Sequence, residues 1–560
     1  MVNLVEKIAR EEIVRLQPYV SARDIYKDAD VFLDANENPY GKNRLNRYPD
    51  PDQLELRRAI ATYIGNGITW KNIIAGNGSD ELIDLSIRVF AGKGDEVIST
   101  SPDYPMYKVS AAINGAKTRE VPLDVDFKLD VDAILQSSNS RTKMIFLSSP
   151  NSPTGKEQQI AEIERLARKV KAVVFVDEAY FEFSGKSAVR LVKKLPYLVV
   201  SRTLSKAWGL AGIRVGYLVA PEKIIKLIRK VKPPYNVSTV SAKMAIKALT
   251  SGKNRMRKNL KKLVKERGGL VRKLEAFGFD VFPSSTNFLF CRCPSWKNAS
   301  ELQLELAARG IVVRDFSSKP ELKNCLRITV GKPSENNRLL SELQKYCKPD
   351  FDAIFFDMDG TLVDVSRSYI EAIRLTAEKI FGRKVPRSLV KEVKALPAMN
   401  NDWDATVEVL RRMGVIFSRK KVVPIFQEIY FGNDGDGLIS KEKPMVDGKL
   451  LRKVGKKVGI VTGRPRVEAK IAIRMLGLSE RALLVALEDT AKGKPNPAPL
   501  LLAKKIRGAK RPVYVGDSAS DRQAATKAGI AFVAIGKGQK QKAEVARFDS
   551  ANEALRRLLI

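Results

Sequence analysis

Apolar residues gather along this chain in short runs, among them Met144–Leu147, Val173–Val176 and Leu198–Val200, separated by stretches whose apolar positions recur at helical spacing. Runs this short and continuous read as strands buried on both faces, and their alternation with amphipathic helices predicts a parallel sheet covered on each side. The pattern restarts after Lys348-Pro349-Asp350, with a new buried-strand run at Ala353–Phe356 and further strands at Val458–Val461 and Val513–Val515. A mostly helical insertion, from about Val365 to Lys449, interrupts this second series. The expected architecture is α/β in two domains, 1–348 and 349–560. A length of 560 residues agrees, since a single core stops growing at roughly 250–300 residues.

Composition changes the picture in four places. The opening residues, MVNLVEKIAR, mix charges with apolar positions, so they lack the apolar core of a secretory signal, and no segment is apolar enough to span a bilayer. The four cysteines include no C-x-x-C pair, so a cytoplasmic protein is expected, with Cys291 and Cys293 as small buried residues on one strand face. A balance of 99 Lys+Arg against 63 Asp+Glu gives +36. That excess is compatible with nucleic acid, with anionic substrates or with a solvated basic surface. Its spread over both halves, as in Lys253–Lys265 and Lys453–Lys457, puts the solvated surface first and nucleic acid well behind. Histidine is absent, whereas average usage would supply on the order of ten. Every proton transfer must then fall to Lys, Asp, Glu, Tyr or Cys.

The first candidate site is assembled from several segments. Asp177 ends an apolar strand in Val176-Asp177-Glu178-Ala179-Tyr180, at the carboxyl edge where open α/β sheets bind ligands. Further on, Ser201-Arg202-Thr203-Leu204-Ser205-Lys206 leads to Arg214, joining an imine-forming amine to hydroxyls and a cation suited to phosphate. These motifs resemble the fold-type-I aminotransferases that carry pyridoxal 5'-phosphate, and among them the histidinol-phosphate aminotransferases, over essentially all of 1–348. The resemblance implies that Lys206 is the Schiff-base lysine and proton carrier. It implies that Asp177 holds the cofactor's ring nitrogen, that Tyr180 reaches the ring hydroxyl, and that Thr203, Ser205 and Arg214 hold the cofactor phosphate.

Further segments match the same family. Leu33-Asp34-Ala35-Asn36-Glu37-Asn38-Pro39-Tyr40-Gly41 resembles its amino-terminal signature, and Tyr48 in Arg47-Tyr48-Pro49-Asp50 corresponds to a tyrosine that reaches the neighbouring subunit's cofactor, implying a homodimer. Gly78, Ser79 and Asp80 open a helix, a place that favours phosphate. Tyr104 matches the aromatic stacked on the cofactor ring. Family members commonly carry Asn before Pro-Thr-Gly. Here Asn151-Ser152-Pro153-Thr154-Gly155 puts Ser152 in that place, with Asn151 as a substitute cofactor contact. Arg327, in Cys325-Leu326-Arg327-Ile328, corresponds to the arginine that grips the substrate anion, and Asn287 is a candidate for the same pocket.

The second candidate site begins at Phe355-Phe356-Asp357-Met358-Asp359-Gly360-Thr361. Carboxylates crowded after a buried strand are costly unless a cation or chemistry uses them. The motif resembles the haloacid-dehalogenase superfamily over 349–560. The resemblance implies Asp357 as nucleophile toward phosphorus and Asp359 as general acid and base. It gives Thr462 and Lys494 as phosphoryl ligands and Asp357, Asp359, Asp517 and Asp521 as the Mg²⁺ set. The helical insertion resembles a cap, with Asn400-Asn401-Asp402-Trp403 near its middle. Asn433–Ser440 has the look of a calcium loop, but the positions of its end ligands are Gly432 and Lys443, so it is read as a turn.

Taken together, the two resemblances point to transamination between imidazole-acetol phosphate and glutamate or 2-oxoglutarate, followed by removal of the phosphate from histidinol phosphate. The alternatives are an aminotransferase or decarboxylase for another phosphorylated amino compound, such as phosphoserine or threonine phosphate, fused to a phosphatase of phosphoserine or phosphoglycolate type, and a basic RNA-binding protein on enzyme-derived folds.

Overall fold

The computed structural model describes residues 5–17, 31–41, 45–294, 297–346, 351–394, 396, 401–433, 435–454, 458–479, 482–537 and 544–558. Two compact units emerge, the first ending at Glu342 and the second running from Leu343. The expected boundary near residue 348 lies outside the described residues.

The first unit is built on a seven-stranded sheet in the order β1-β7-β6-β5-β4-β2-β3. Its strands are β1 (Ile73–Asn77), β2 (Glu96–Ser101), β3 (Lys117–Pro122), β4 (Thr142–Ser148), β5 (Val173–Asp177), β6 (Leu198–Thr203) and β7 (Val215–Val219). β7 alone pairs antiparallel with both neighbours, β1 and β6. The alternation of side chains across a pleat explains the continuous apolar runs: Ile145, Leu147, Val174 and Val176 enter the core on one face. Met144, Phe146, Val173 and Phe175 enter the core on the other. A smaller antiparallel sheet follows, ordered β10-β11-β9-β8, from β8 (Asp280–Val281), β9 (Phe288–Arg292), β10 (Arg314–Asp315) and β11 (Cys325–Thr329). Cys291 on β9 and Cys293 just after it are both buried.

The second unit carries an all-parallel sheet in the order β16-β15-β12-β17-β18-β19. Its strands are β12 (Ala353–Phe356), β15 (Val458–Val461), β16 (Leu483–Val485), β17 (Pro512–Gly516), β18 (Ala531–Ile535) and β19 (Ala546–Phe548). Phe356 faces one core and Phe355 the other. The insertion folds as helices Tyr369–Phe381, Arg387–Lys394, Asp402–Arg412 and Arg419–Tyr430 around an apolar cluster of their own, with Ile373, Val409 and Phe426 at its centre. It joins the sheet through a short antiparallel ribbon, β13 (Val363–Asp364) against β14 (Lys443–Pro444). The helix Gly448–Val454 lies beyond that ribbon, so the helical insert closes a few residues earlier than the pattern suggested. Within the calcium-like segment, Asp436 accepts a hydrogen bond from the Asn433 amide at 2.8 Å, the bond of a simple turn.

Candidate active sites

In the first unit, strand ends and one helix start converge on a cavity of about 150 Å³ lined by Ser79, Asp80, Tyr104, Asp177, Lys206 and Arg327, among others. Asp177 closes β5 and is 6 % exposed. Its carboxylate accepts from Tyr107 Oη at 2.9 Å and from the Ala179 amide at 3.0 Å. Burial nonetheless pushes its pKa up to about 6. Next to it, Glu178 and Arg202 form a buried pair at 2.9 Å that ties the end of β5 to β6, so the loops carrying Tyr180 and Lys206 leave from a fixed edge. Lys206 Nζ lies 5.4 Å from the Tyr180 ring centre.

The phosphate-binding candidates also come together. Thr203 Oγ1 donates to Ser205 Oγ at 2.9 Å, and Arg214, held in the left-handed region at φ 52°, reaches Asp80 at 3.2 Å. Asp80 accepts from Tyr104 Oη at 3.0 Å. Glycine is required at two points here. A Cβ on Gly78 would stand 2.5 Å from Arg214 Nη2, and one on Gly216 would stand 2.5 Å from the Ser79 amide nitrogen. Hydroxyls, backbone amides at a helix start, a guanidinium, an amine and a buried carboxylate make a set that fits pyridoxal phosphate.

Other candidates lie elsewhere. Tyr48 is half exposed and stacks on Tyr235 at 4.6 Å in a separate groove. Asn151 does not line the cavity: its side chain donates to Pro102 O and Ser148 Oγ and accepts from Thr154, so both ends of the amide are spent, on its own turn and on the distant Pro102. Ser152 does line it, and accepts a hydrogen bond from Arg327 Nη1 at 3.0 Å. The Asn287 carbonyl accepts from the Val330 amide at 2.8 Å, and Asn287 is not among the cavity residues.

In the second unit, the adjacent strands β15, β12 and β17 deliver Thr462, Asp357 and Asp517 to one edge of the sheet. Lys494 Nζ donates to Asp357 at 2.5 Å, to Asp521 at 2.6 Å and to Tyr514 Oη at 2.8 Å. Burial and the nearby Asp521 push the Asp357 carboxyl well above its ordinary range. Burial acts upward on Asp521 too, but Lys494, Ser518 and Tyr514 outweigh it and hold that carboxyl low. Asp357, Asp517 and Asp521 each place an oxygen within 4.8 Å of the others, a hard-oxygen set that fits a divalent cation. Asp521 is also spent on Lys494 and on capping its own helix through Ser518, which leaves Asp357 and Asp517 as the freer ligands. Gly360 lets Asp517 approach, since a Cβ there would meet its Oδ2.

Asp359 does not join that carboxylate group. Its side chain turns to Arg464, 2.5–2.6 Å away, because that guanidinium is 1 % exposed and a buried cation needs a counter-charge. Arg464 also donates to Glu442 at 2.9 Å, which in turn accepts from Ser368 and Tyr430. The motif reading passed over Arg464, although it stands two residues after Thr462.

The first unit thus gathers an amine, hydroxyls and a guanidinium around a buried carboxylate, and the second gathers carboxylates around Lys494. Residues 28–343 match the Aminotransferase class I and II family and residues 354–535 match the Haloacid dehalogenase-like hydrolase family. The chain is 41% identical over 342 residues to histidinol-phosphate aminotransferase of Parabacteroides distasonis, covering 60% of this chain and 97% of that protein. It is 37% identical over 358 residues to the enzyme of the same name from Caldanaerobacter subterraneus, covering 61% and 99%. The crystal structure of histidinol-phosphate aminotransferase from Clostridium acetobutylicum superposes with a TM-score of 0.50 at 26% identity, over 54% of this chain and 91% of that one. The chain belongs to the histidinol-phosphate aminotransferase family of class I and II aminotransferases, and carries a haloacid dehalogenase-like hydrolase domain after it.

Proposed function

We propose that this chain makes histidinol phosphate and then removes its phosphate. The observation that carries the reading is the presence, on one polypeptide, of Lys206 facing a buried Asp177 and of Asp357 gripped by Lys494. The first set suits amino transfer to a phosphorylated ketone and the second suits hydrolysis of the phosphate ester that results.

When bound, pyridoxal phosphate supplies an electron sink for the bond broken at the substrate carbon. Lys206 anchors it and moves the proton. Asp177 keeps the ring nitrogen charged, oriented by Tyr107. Thr203, Ser205 and Arg214 hold the phosphate end, and Arg327, oriented by Ser152, takes the substrate's anionic group. In the second site Asp357 attacks phosphorus, forming an aspartyl-phosphate as the ester oxygen departs. Asp359 gives that oxygen a proton and then takes one from the attacking water. Thr462 and Lys494 bind the phosphoryl oxygens, while Asp357 and Asp517 are the residues to hold Mg²⁺ and offset the charge. Both sites act on small phosphorylated compounds, and Tyr48 is assigned to the partner subunit's site in a homodimer. The linkage raises the local concentration of one site near the other.

The decisive experiment measures phosphate release from histidinol phosphate with Mg²⁺, alongside phosphoserine and phosphoglycolate, in the intact chain and in Asp357→Asn. Release selective for histidinol phosphate and absent from the variant is expected. Preference for phosphoserine or phosphoglycolate would overturn the coupled assignment.

A further inference from the structure

The helical insert and the parallel sheet of the second unit enclose a cavity of about 90 Å³ beside Asp359, lined also by Arg464, Asp402, Glu468, Trp403 and Tyr369. Its position is informative, because a group that protonates a departing oxygen must touch the leaving group, so this cavity is where the non-phosphate half of the ester sits. Its charge is unbalanced. Asp359, Asp402 and Glu468 contribute acid to the wall and Arg464 alone contributes base. The partners behind the wall do not repair this: Lys394 pairs with Asp402 at 2.8 Å, but Glu442 pairs with Arg464 at 2.9 Å.

Glu468 carries the argument furthest. It is 4 % exposed, and its one hydrogen bond comes from Gln427 to Oε1 at 2.8 Å, so Oε2 has no partner among the described residues. Burial pushes its carboxyl up to about 7. A buried acid with one free oxygen on a cavity wall is costly unless something donates to it. Trp403 points the same way: it lines the cavity and holds the Arg419 guanidinium 5.3 Å from its ring centre, whereas the Tyr369 ring is engaged by Tyr430, stacked at 4.7 Å, and by Arg464 at 5.2 Å. An electron-rich ring next to surplus carboxylate recognises a flat or ammonium-bearing cation.

We propose that this cavity selects phosphate esters whose alcohol carries positive charge, with Glu468 and Asp402 as the specificity-determining carboxylates and Trp403 as the aromatic wall. The inference rests on the phosphatase reading above. It excludes carboxylate-bearing alcohols, which would bring a third negative group against Glu468 and Asp402.

The test compares kcat/KM for histidinol phosphate, phosphoethanolamine and phosphoglycolate with Mg²⁺ in the full chain, in Glu468→Gln and in Asp402→Asn. The wild type is expected to prefer both amino-bearing esters to phosphoglycolate. That ratio is expected to fall roughly tenfold in Glu468→Gln, the loss of one charged hydrogen bond. A misfolded fraction lowers both rates alike and leaves the ratio unmoved, so the ratio reports the cavity. Phosphoglycolate turned over as well as the amino esters, or a ratio unchanged in both variants, overturns the inference while leaving a phosphatase standing. Phosphoethanolamine preferred over histidinol phosphate supports the cavity assignment and overturns the histidinol phosphate reading. No hydrolysis of any ester, p-nitrophenyl phosphate included, overturns both.

Discussion

The two sites handle charge in opposite ways. In the aminotransferase site the cations stand apart and partly in solvent: Arg214 is 46% exposed in its pair with Asp80, and Arg327 has a neutral serine as its hydrogen-bond partner. In the phosphatase site each cation is buried and clamped by two carboxylates, Lys494 by Asp357 and Asp521 and Arg464 by Asp359 and Glu442. The contrast teaches that a site can hold its cations partly in solvent, with at most one acid beside each, or embed them among acids. The embedded arrangement suits chemistry in which a carboxylate must itself attack phosphorus, because its charge has to be held in check as the phosphate approaches.

Six variants bear on this contrast. The largest effect is expected from the nucleophiles. Lys206→Ala abolishes amino transfer and Asp357→Asn abolishes phosphate release, each by roughly 10⁴-fold or more, while the other reaction continues. Paired assays on one preparation check this, and loss of both activities in either variant would show the units to be interdependent. Next comes Arg464→Met. It strands Asp359 and Glu442 and is expected to cost the second unit about 3–5 kcal/mol in urea unfolding, whereas Arg214→Met is expected to cost the first unit under about 1 kcal/mol and to show its effect in cofactor retention. Equal costs would erase the contrast.

The next variant concerns Asp177. Burial raises its folded pKa to about 6, so the folded state holds that proton more tightly than the unfolded one. Such a group stabilises the fold at pH below its unfolded pKa, and the contribution is lost as pH rises through about 6. At neutral pH the charged Asp177 costs the cofactor-free protein roughly 3 kcal/mol. Asp177→Asn is therefore expected to raise the thermal transition of the cofactor-free first unit while removing amino transfer, and a lower transition would refute the sign. The smallest effect belongs to Ser152→Ala, which takes one hydrogen bond from Arg327 and is expected to raise KM for the phosphorylated substrate about fivefold with kcat little changed.

Much of this was legible along the sequence where chemistry sits inside one strand, its loop and the next helix. The runs Val173–Val176, Leu198–Val200, Ala353–Phe356 and Val458–Val461 all lie in strands, and Asp177, Thr203, Asp357 and Thr462 stand at or just past their carboxyl ends. What stayed hidden depends on distant partners. Arg464 meets Asp359 across 105 residues and Glu442 across 22, and Tyr107 meets Asp177 across 70. No local pattern marks such pairs, since they exist only once the sheet has ordered its strands. The Asn151 assignment fell short for a related reason: the motif gives the residue type, but only the folded turn shows that its amide is already used.

The ribbon of β13 and β14 carries one more consequence. Asp364 stands opposite Lys443 in register, so the four-helix insert leaves the sheet and returns to it at neighbouring backbone positions. A segment whose two ends lie side by side is a cassette. Asp357 and Thr462 lie outside it, and its ties to the sheet side run from Gln427 to Glu468 and from Tyr369 to Arg464, so any bundle put in its place has to supply those partners again.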